Sequence, residues 1–137
     1  MVMSEASRAM TRLLVVEDEE GVRELMAAML RQLGYTVFTA ATPAEAIRLA
    51  EEHRDALGMV LTDVVMPQMS GRELANELLR ANPELKVLFL SGYTENAVVH
   101  HGVLDSGVDF LAKPFSQDAL ARKVRGILDK PSGRRPA

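Results

Sequence analysis

The chain of 137 residues contains no cysteine and no tryptophan, and aromatic residues make up only 4% of it. Without cysteine it cannot form a disulfide framework, a thiolate zinc site or a cysteine nucleophile. It also lacks the apolar run of about 18 residues that a membrane-spanning helix needs, and its first residues lack the apolar stretch of a signal peptide. A formal net charge of −3 argues against direct binding of nucleic acid. We therefore expect a cytoplasmic protein that contacts neither membrane nor nucleic acid directly.

The length predicts one domain, because domains commonly have about 150 residues. An apolar fraction of 47% is enough for a hydrophobic core without cross-links. Residues 1–12 show no sustained periodicity and residues 130–137 are rich in proline, glycine and charge, so both ends are predicted to be disordered tails. The folded domain is expected over 13–129. One folded unit is therefore expected to carry the function.

Short apolar runs alternate with amphipathic stretches along the chain. The runs predict five strands and the stretches predict five helices, with strands at 13–16, 36–40, 59–62, 87–90 and 110–112 and helices at 22–33, 43–52, 71–81, 95–104 and 117–128. This alternation predicts a doubly wound α/β fold, in which a parallel sheet carries helices on both faces. Ligands of such sheets bind beyond the carboxyl ends of the strands.

The first helix has the clearest pattern. Its apolar residues follow the spacing of one helix face, and they are Val22, Leu25, Met26, Met29, Leu30 and Leu33. Gly34 is placed to end this helix, Thr42 and Ser70 to cap the second and third helices, and Ser116 to cap the last.

Polar side chains follow four of the five predicted strands. They are Glu17 and Asp18 after the first, Asp63 after the third, Ser91 after the fourth and Lys113 after the fifth. Each alone is more simply explained as a helix cap, a turn residue or a surface lysine, whereas together they favour a site. If the first and third strands are neighbours, three carboxylates converge, and such a cluster of oxygen ligands suits Mg²⁺.

Four sequence strings resemble the receiver domain of response regulators in two-component signalling. They are LLVVEDEE (13–20), LTDVVMPQMSG (61–71), FLSGY (89–93) and LAKPF (111–115). The resemblance covers about 13–129 and implies a flavodoxin-like fold of five parallel strands in the order 2-1-3-4-5 with five helices. Residues 93–115 are also similar to the C-terminal receivers of hybrid sensor histidine kinases.

The resemblance implies that Asp63 is the phosphoacceptor, which takes its phosphoryl group from the phosphohistidine of a histidine kinase or a histidine phosphotransfer protein. It implies Mg²⁺ as the cofactor, held by Glu17, Asp18, Asp63 and the backbone carbonyl of Val65. Lys113 would pair with Asp63 and then with the phosphoryl group, and Pro114 would carry a cis peptide bond that aims Lys113 inward. Such a domain is not an enzyme beyond catalysing its own phosphorylation and dephosphorylation.

The resemblance also implies a conformational switch. Ser91 would donate a hydrogen bond from its hydroxyl to the phosphoryl group, and Gly92 would allow the backbone to approach that group closely. The loop that begins at Ser91 would move inward, and Phe110 would fill the space that this loop leaves. The face made by the fourth helix, the fifth strand and the fifth helix would change, and a homodimer through that face is a further implied partner. Phe110 is explained equally well as an ordinary core aromatic. Tyr93 and Val65 flank the site and are expected to affect the phosphoryl lifetime.

Four departures from the commonest receiver pattern are present, namely Glu17 for aspartate, Ser91 for threonine, Phe110 for tyrosine, and the flanking residues Val65 and Tyr93. The main alternative is a pseudo-receiver that binds a partner without phosphorylation. An aspartyl-phosphate phosphatase is disfavoured because a second aspartate would be expected where Val65 stands. A flavin-binding module is disfavoured because the acidic loop 17–20 would repel its phosphate.

Overall fold

The computed structural model describes residues 11–92 and 109–130. These residues form β1 (Arg12–Val16), α1 (Glu20–Gln32), β2 (Thr36–Ala40), α2 (Pro43–Glu52), β3 (Leu57–Asp63), α3 (Gly71–Ala81), β4 (Lys86–Ser91), β5 (Phe110–Ala112) and α4 (Gln117–Leu128). The helix predicted over 95–104 lies outside the described residues.

The five strands are parallel and lie in the order β2-β1-β3-β4-β5. This confirms the predicted doubly wound α/β fold and the strand order that the resemblance implied. Because β1 and β3 are neighbours at the centre of the sheet, the residues after these two strands come together at one edge.

The apolar run of β1 is explained by burial on both faces of the sheet. Leu13 and Val15 belong to one core, which α1 and α4 cover, for example with Met26 and Leu120. The other face forms a second core under α2 and α3, whose members include Leu14, Val16, Ala46, Leu74 and Leu78. A strand covered on both faces has a continuous apolar run instead of an alternating pattern.

The predicted helix ends are confirmed. Thr42 accepts a hydrogen bond from the backbone N–H of Glu45 at 3.1 Å, and Ser116 caps α4 in the same way. Ser70 and Glu73 form the reciprocal capping box that opens α3, with both hydrogen bonds at 3.0 Å. Gly34 has a φ of 102°, which is the left-handed conformation that ends a helix most easily at glycine.

One residue of the apolar pattern of α1 does not lie in the core. Leu25 is 57% exposed, whereas Met26 and Leu30 are buried against the sheet. The apolar stripe of α1 is wider than the area that the sheet covers, so a residue at its margin stays in contact with solvent. None of the described helices is long and apolar enough to span a membrane.

Candidate functional site

The polar residues at the strand ends meet at one edge of the sheet. Val16, the last residue of β1, is paired with Thr62 of β3, so Glu17 and Asp63 follow side by side. Ser91, the last residue of β4, is paired with Ala112 of β5 and accepts a hydrogen bond from the N–H of Lys113 at 2.7 Å. Parallel pairing therefore brings together residues that are far apart in the chain.

Three carboxylates form an acidic cluster. One oxygen each from Glu17, Asp18 and Asp63 lies within 4.8 Å of the others. Glu17 and Asp63 are only 1% and 3% exposed, whereas Asp18 is exposed at the surface. Glu17 is further held by the N–H of Glu19, which donates to its Oε2 at 3.0 Å.

Lys113 supplies the positive charge of the cluster. Its Nζ lies 2.6 Å from Oδ1 of Asp63 and 3.0 Å from Oε1 of Glu17. The peptide bond between Lys113 and Pro114 is cis, as the resemblance implied. Lys113 thus contacts both buried carboxylates, in agreement with the ion pair to Asp63 that the resemblance implied.

The pKa values of the two buried carboxyls move in opposite directions. Burial, and secondly the neighbouring Glu17, raise the pKa of Asp63 to about 7, although Lys113 opposes the rise. Burial also acts to raise the pKa of Glu17, but its contacts with Asp63, with the N–H of Glu19 and with Lys113 outweigh burial and lower that pKa. Two carboxylates this close cannot both ionise easily, so without a cation Asp63 binds a proton more readily than Glu17 does.

The pKa of Lys113 is raised. Burial acts to lower it, but the contacts with Asp63 and Glu17 are stronger and keep the ammonium charged. The ammonium of Lys113, which faces Asp63, therefore keeps its positive charge at neutral pH.

The donor set of the cluster fits a hard divalent cation. When all three carboxylates are ionised, they leave two negative charges in excess of the one positive charge of Lys113. Oδ1 of Asp63 is fully buried and receives no hydrogen bond of good geometry from the described residues, although the ammonium lies close to it. Carboxylate oxygens without nitrogen or sulfur ligands are what Mg²⁺ prefers in proteins.

Two further residues shape the cluster, and the sequence pattern does not reveal them. A Cβ atom at Gly71 would overlap the carbonyl oxygen of Asp63, and the N–H of Gly71 donates to the carbonyl of Val64 at 2.7 Å. Only the position of Gly71 directly after the cap of α3 could have indicated this contact. Arg23 donates from Nη1 to the carbonyl of Glu17 at 2.9 Å, and no sequence pattern indicates such a bond.

The remaining predicted residues lie around the cluster in different settings. Ser91 is completely buried, whereas Val65 is 52% exposed in the loop after β3. Phe110 is 37% exposed. Gly92 lies directly after β4. Tyr93 is outside the described residues.

An apolar groove opens beside Lys113. Its volume is about 390 Å³, and it runs between α1 and the segment that leads from β5 to α4. The lining residues are Val22, Leu25, Met26, Met29, Gly92, Lys113, Pro114 and Phe115. The exposed Leu25 therefore belongs to a surface that adjoins the acidic cluster.

Sequence comparison relates the chain to proteins of bacterial signalling. The family described as response regulator receiver domain matches residues 13–125. The sensor kinase CckA of Brucella abortus is 42% identical over 117 residues, which are 85% of this chain and 12% of that kinase. The response regulator receiver protein CpdR of the same organism is 30% identical over 119 residues, which are 87% of this chain and 98% of that protein.

Solved structures show the same relationship. The crystal structure of the receiver domain from the hybrid histidine kinase CckA has a TM-score of 0.73 at 34% identity, and the match covers 86% of this chain and 99% of that domain. The chemotaxis protein CheY4 of Vibrio cholerae has a TM-score of 0.75 at 27% identity, with 87% and 99% covered. The chain thus matches whole receiver domains, whereas it spans about an eighth of the sensor kinase.

Proposed function

The chain belongs to the response regulator receiver family of two-component signalling, and on this basis we propose that Asp63 is its phosphoacceptor. The observation that carries the proposal is the position of Asp63 at the end of a central strand. There its carboxylate faces the ammonium of Lys113 at 2.6 Å and two further carboxylates within 4.8 Å. Residues 13–129 would then form a regulatory domain that receives a phosphoryl group from a histidine kinase or a histidine phosphotransfer protein.

The proposed transfer requires an ionised Asp63. A carboxylate oxygen of Asp63 attacks the phosphorus of phosphohistidine, the phosphorus–nitrogen bond breaks, and its electron pair stays on the imidazole nitrogen. The product is an acyl phosphate. In the absence of a cation the raised pKa of Asp63, about 7, keeps much of this carboxyl protonated at neutral pH. Asp63 must therefore lose this proton before its carboxylate can attack the phosphorus.

Mg²⁺ is the proposed cofactor. Glu17, Asp18, Asp63 and the backbone carbonyl of Val65 would hold it, because the carboxylates present a cluster of oxygen ligands with excess negative charge. When bound, the ion neutralises charge on the transferred phosphoryl group and on the carboxylates. Glu17 has one more methylene group than the aspartate common at this position.

Lys113 and Ser91 are proposed to bind the phosphoryl oxygens. The Lys113 ammonium already lies at the carboxylate that would carry the phosphoryl group, and Ser91 lies next to it through the hydrogen bond between their backbones. If the Ser91 hydroxyl donates to the phosphoryl group, Phe110 on the neighbouring strand would turn inward from its partly exposed position. This change would alter the surface around β5 and α4, through which a homodimer is also proposed.

The donor protein is proposed to dock along the apolar groove beside α1. A phosphohistidine must approach Asp63 from outside the sheet edge, and the groove is continuous with Lys113, which contacts Asp63. Apolar side chains such as Leu25 and Phe115 would pack against an apolar helix face of a histidine-bearing partner.

The proposal is tested by incubating the protein with a small phosphodonor and Mg²⁺ and measuring the intact mass. We expect one added phosphoryl group on the wild type and none on Asp63→Asn. Asp109→Asn is the matched control, because Asp109 lies before β5 and pairs with Lys130 away from the cluster. Equal labelling of wild type and Asp63→Asn would refute the assignment. Absence of labelling in the wild type would favour a phosphorylation-independent pseudo-receiver.

A further inference from the structure

Arg23 makes a directed contact with the acidic loop from the first turns of α1. Its Nη1 donates to the backbone carbonyl of Glu17 at 2.9 Å, and its side chain is only 15% exposed. Within the described residues Arg23 forms an ion pair with Glu24, whose carboxylate lies 3.9 Å from Nε and is 59% exposed, so this ion pair contributes little. The hydrogen bond to Glu17 is therefore the main polar contact that the structure shows for Arg23.

Glu17 is held from several directions, and each contact fixes a different part of it. Its N–H donates to the carbonyl of Ala40 at 3.0 Å, and its side chain binds the N–H of Glu19 and the ammonium of Lys113. Its carbonyl is held by Arg23. The carbonyl belongs to the peptide unit between residues 17 and 18, so this bond sets the direction in which the chain continues into Asp18.

The loop depends on these contacts because α1 has no conventional cap. Glu19 occupies the N-cap position but makes no side-chain capping hydrogen bond. Helix starts usually rely on such a bond to satisfy their free N–H groups and to fix the preceding residue. The guanidinium of Arg23 instead ties the first turns of α1 to the end of β1.

We infer that Arg23 is a positioning residue that holds the Glu17–Asp18 peptide unit so that the exposed Asp18 stays within reach of Asp63. This inference rests on the proposed function, since it concerns the cation that the acidic cluster would bind. Arg23 is not itself a ligand, because a guanidinium repels a cation. Its effect on affinity acts through the orientation of Asp18.

The chain contains a matched control on the same helix. Arg31 donates from Nη2 to the carbonyl of Val37 at 2.9 Å, six residues along the chain, whereas Arg23 bonds the carbonyl six residues before it. Val37 lies in β2, near the start of the strand and away from the acidic cluster. Loss of either bond removes the same kind of contact, but only the loss at Arg23 releases the peptide before Asp18.

The experiment compares Arg23→Met and Arg31→Met, which keep much of the aliphatic stem and remove the donor. Mg²⁺ affinity is measured by calorimetry on the full chain, and urea unfolding is followed in the same samples. We expect Arg23→Met to weaken Mg²⁺ binding by about tenfold, as is typical when a residue that orients a ligand is lost, and Arg31→Met to change it less than about twofold. Arg23→Lys, which can still donate to the carbonyl, is expected to recover part of the affinity.

A second readout needs no metal. The N–H of Glu19, which is bonded to the Glu17 side chain, is expected to exchange with solvent faster in Arg23→Met than in Arg31→Met. Equal Mg²⁺ affinity and equal exchange in the two variants would overturn the inference. If the wild type bound no Mg²⁺, the proposed cofactor would fail, and the exchange rates alone would decide whether Arg23 orders this loop.

Discussion

The ammonium of Lys113 lies 2.6 Å from Oδ1 of Asp63, although β4 separates the strands that carry these residues. The lysine reaches across the end of β4 to contact the carboxylate. A long side chain with a terminal charge is required at position 113 because β5 lies two strands away from β3, which ends at Asp63. The same ammonium also contacts Glu17 at the end of β1.

We predict that Lys113→Met slows phosphorylation of Asp63 by at least about tenfold, because the cation that binds the carboxylate is removed. The free energy of unfolding should fall by about 1–3 kcal/mol, since Asp63 and Glu17 lose their buried counter-charge. Mass spectrometry of the phosphorylated protein and urea unfolding measure the two effects. Lys123→Met is the control, because Lys123 lies 3.9 Å from Asp109 and outside the cluster. Similar behaviour of both variants would contradict the role of Lys113.

We predict that, without Mg²⁺, the protein loses stability between pH 5 and pH 8 and that Asp63→Asn loses less. The unfolded chain releases the Asp63 proton near its ordinary pKa of 3.8, whereas the folded protein keeps it until about pH 7. In this window the folded state binds more protons, so unfolding becomes easier as the pH rises. Glu17 has a lowered pKa, and its stabilising contribution is already complete above its ordinary value of 4.5.

The measurement is urea unfolding of the wild type and of Asp63→Asn in EDTA, at pH 5 and at pH 8. Taking the difference between the two proteins cancels the contributions that both share. The variant should be more stable than the wild type at pH 8 by about 1–3 kcal/mol, and this advantage should shrink at pH 5. A constant difference over the window would show that Asp63 titrates normally.

The sheet and its helix caps could be predicted because their signals are local. Each signal can be recognised from a few consecutive residues. The structure contains the buried strand before Glu17, the helix end at Gly34 and the capping box at Ser70. The convergence of Glu17 with Asp63 also followed, since parallel strands place their carboxyl ends at one edge.

Other features could not be predicted because they depend on how elements pack. The apolar stripe of α1 does not indicate where the covering sheet ends, so it gives no sign that Leu25 is exposed. The bond from Arg23 to the carbonyl of Glu17 has no signature, since any residue supplies a carbonyl. In the sequence, Gly71 is explained by its position as the first residue of α3. Its close approach to the carbonyl of Asp63 depends instead on the course of the loop between the two residues.

We predict that Gly71→Ala destabilises the protein by about 2–3 kcal/mol and impairs phosphorylation. The new methyl group would overlap the carbonyl of Asp63, and backbone atoms cannot move aside as a flexible side chain can. Gly126→Ala is the control, because a methyl group there meets nothing within 4 Å and the residue lies inside α4. That variant should gain about 0.5–1 kcal/mol and be phosphorylated normally. Equal stability of the two variants in urea would contradict the close packing at Gly71.

We predict that Leu25→Ser slows phosphoryl transfer from a phosphorylated histidine phosphotransfer protein by about five- to tenfold, because Leu25 is the exposed apolar residue at the rim of the proposed docking groove. Labelling by a small phosphodonor should stay unchanged, since Leu25 is not among the residues that contact Asp63. Ala28→Ser on the same helix is exposed and outside the groove, so it should affect neither reaction. Stopped-flow transfer assays separate the two reactions. A loss in both would place Leu25 in the reaction site itself, and a loss in neither would show that the donor docks elsewhere.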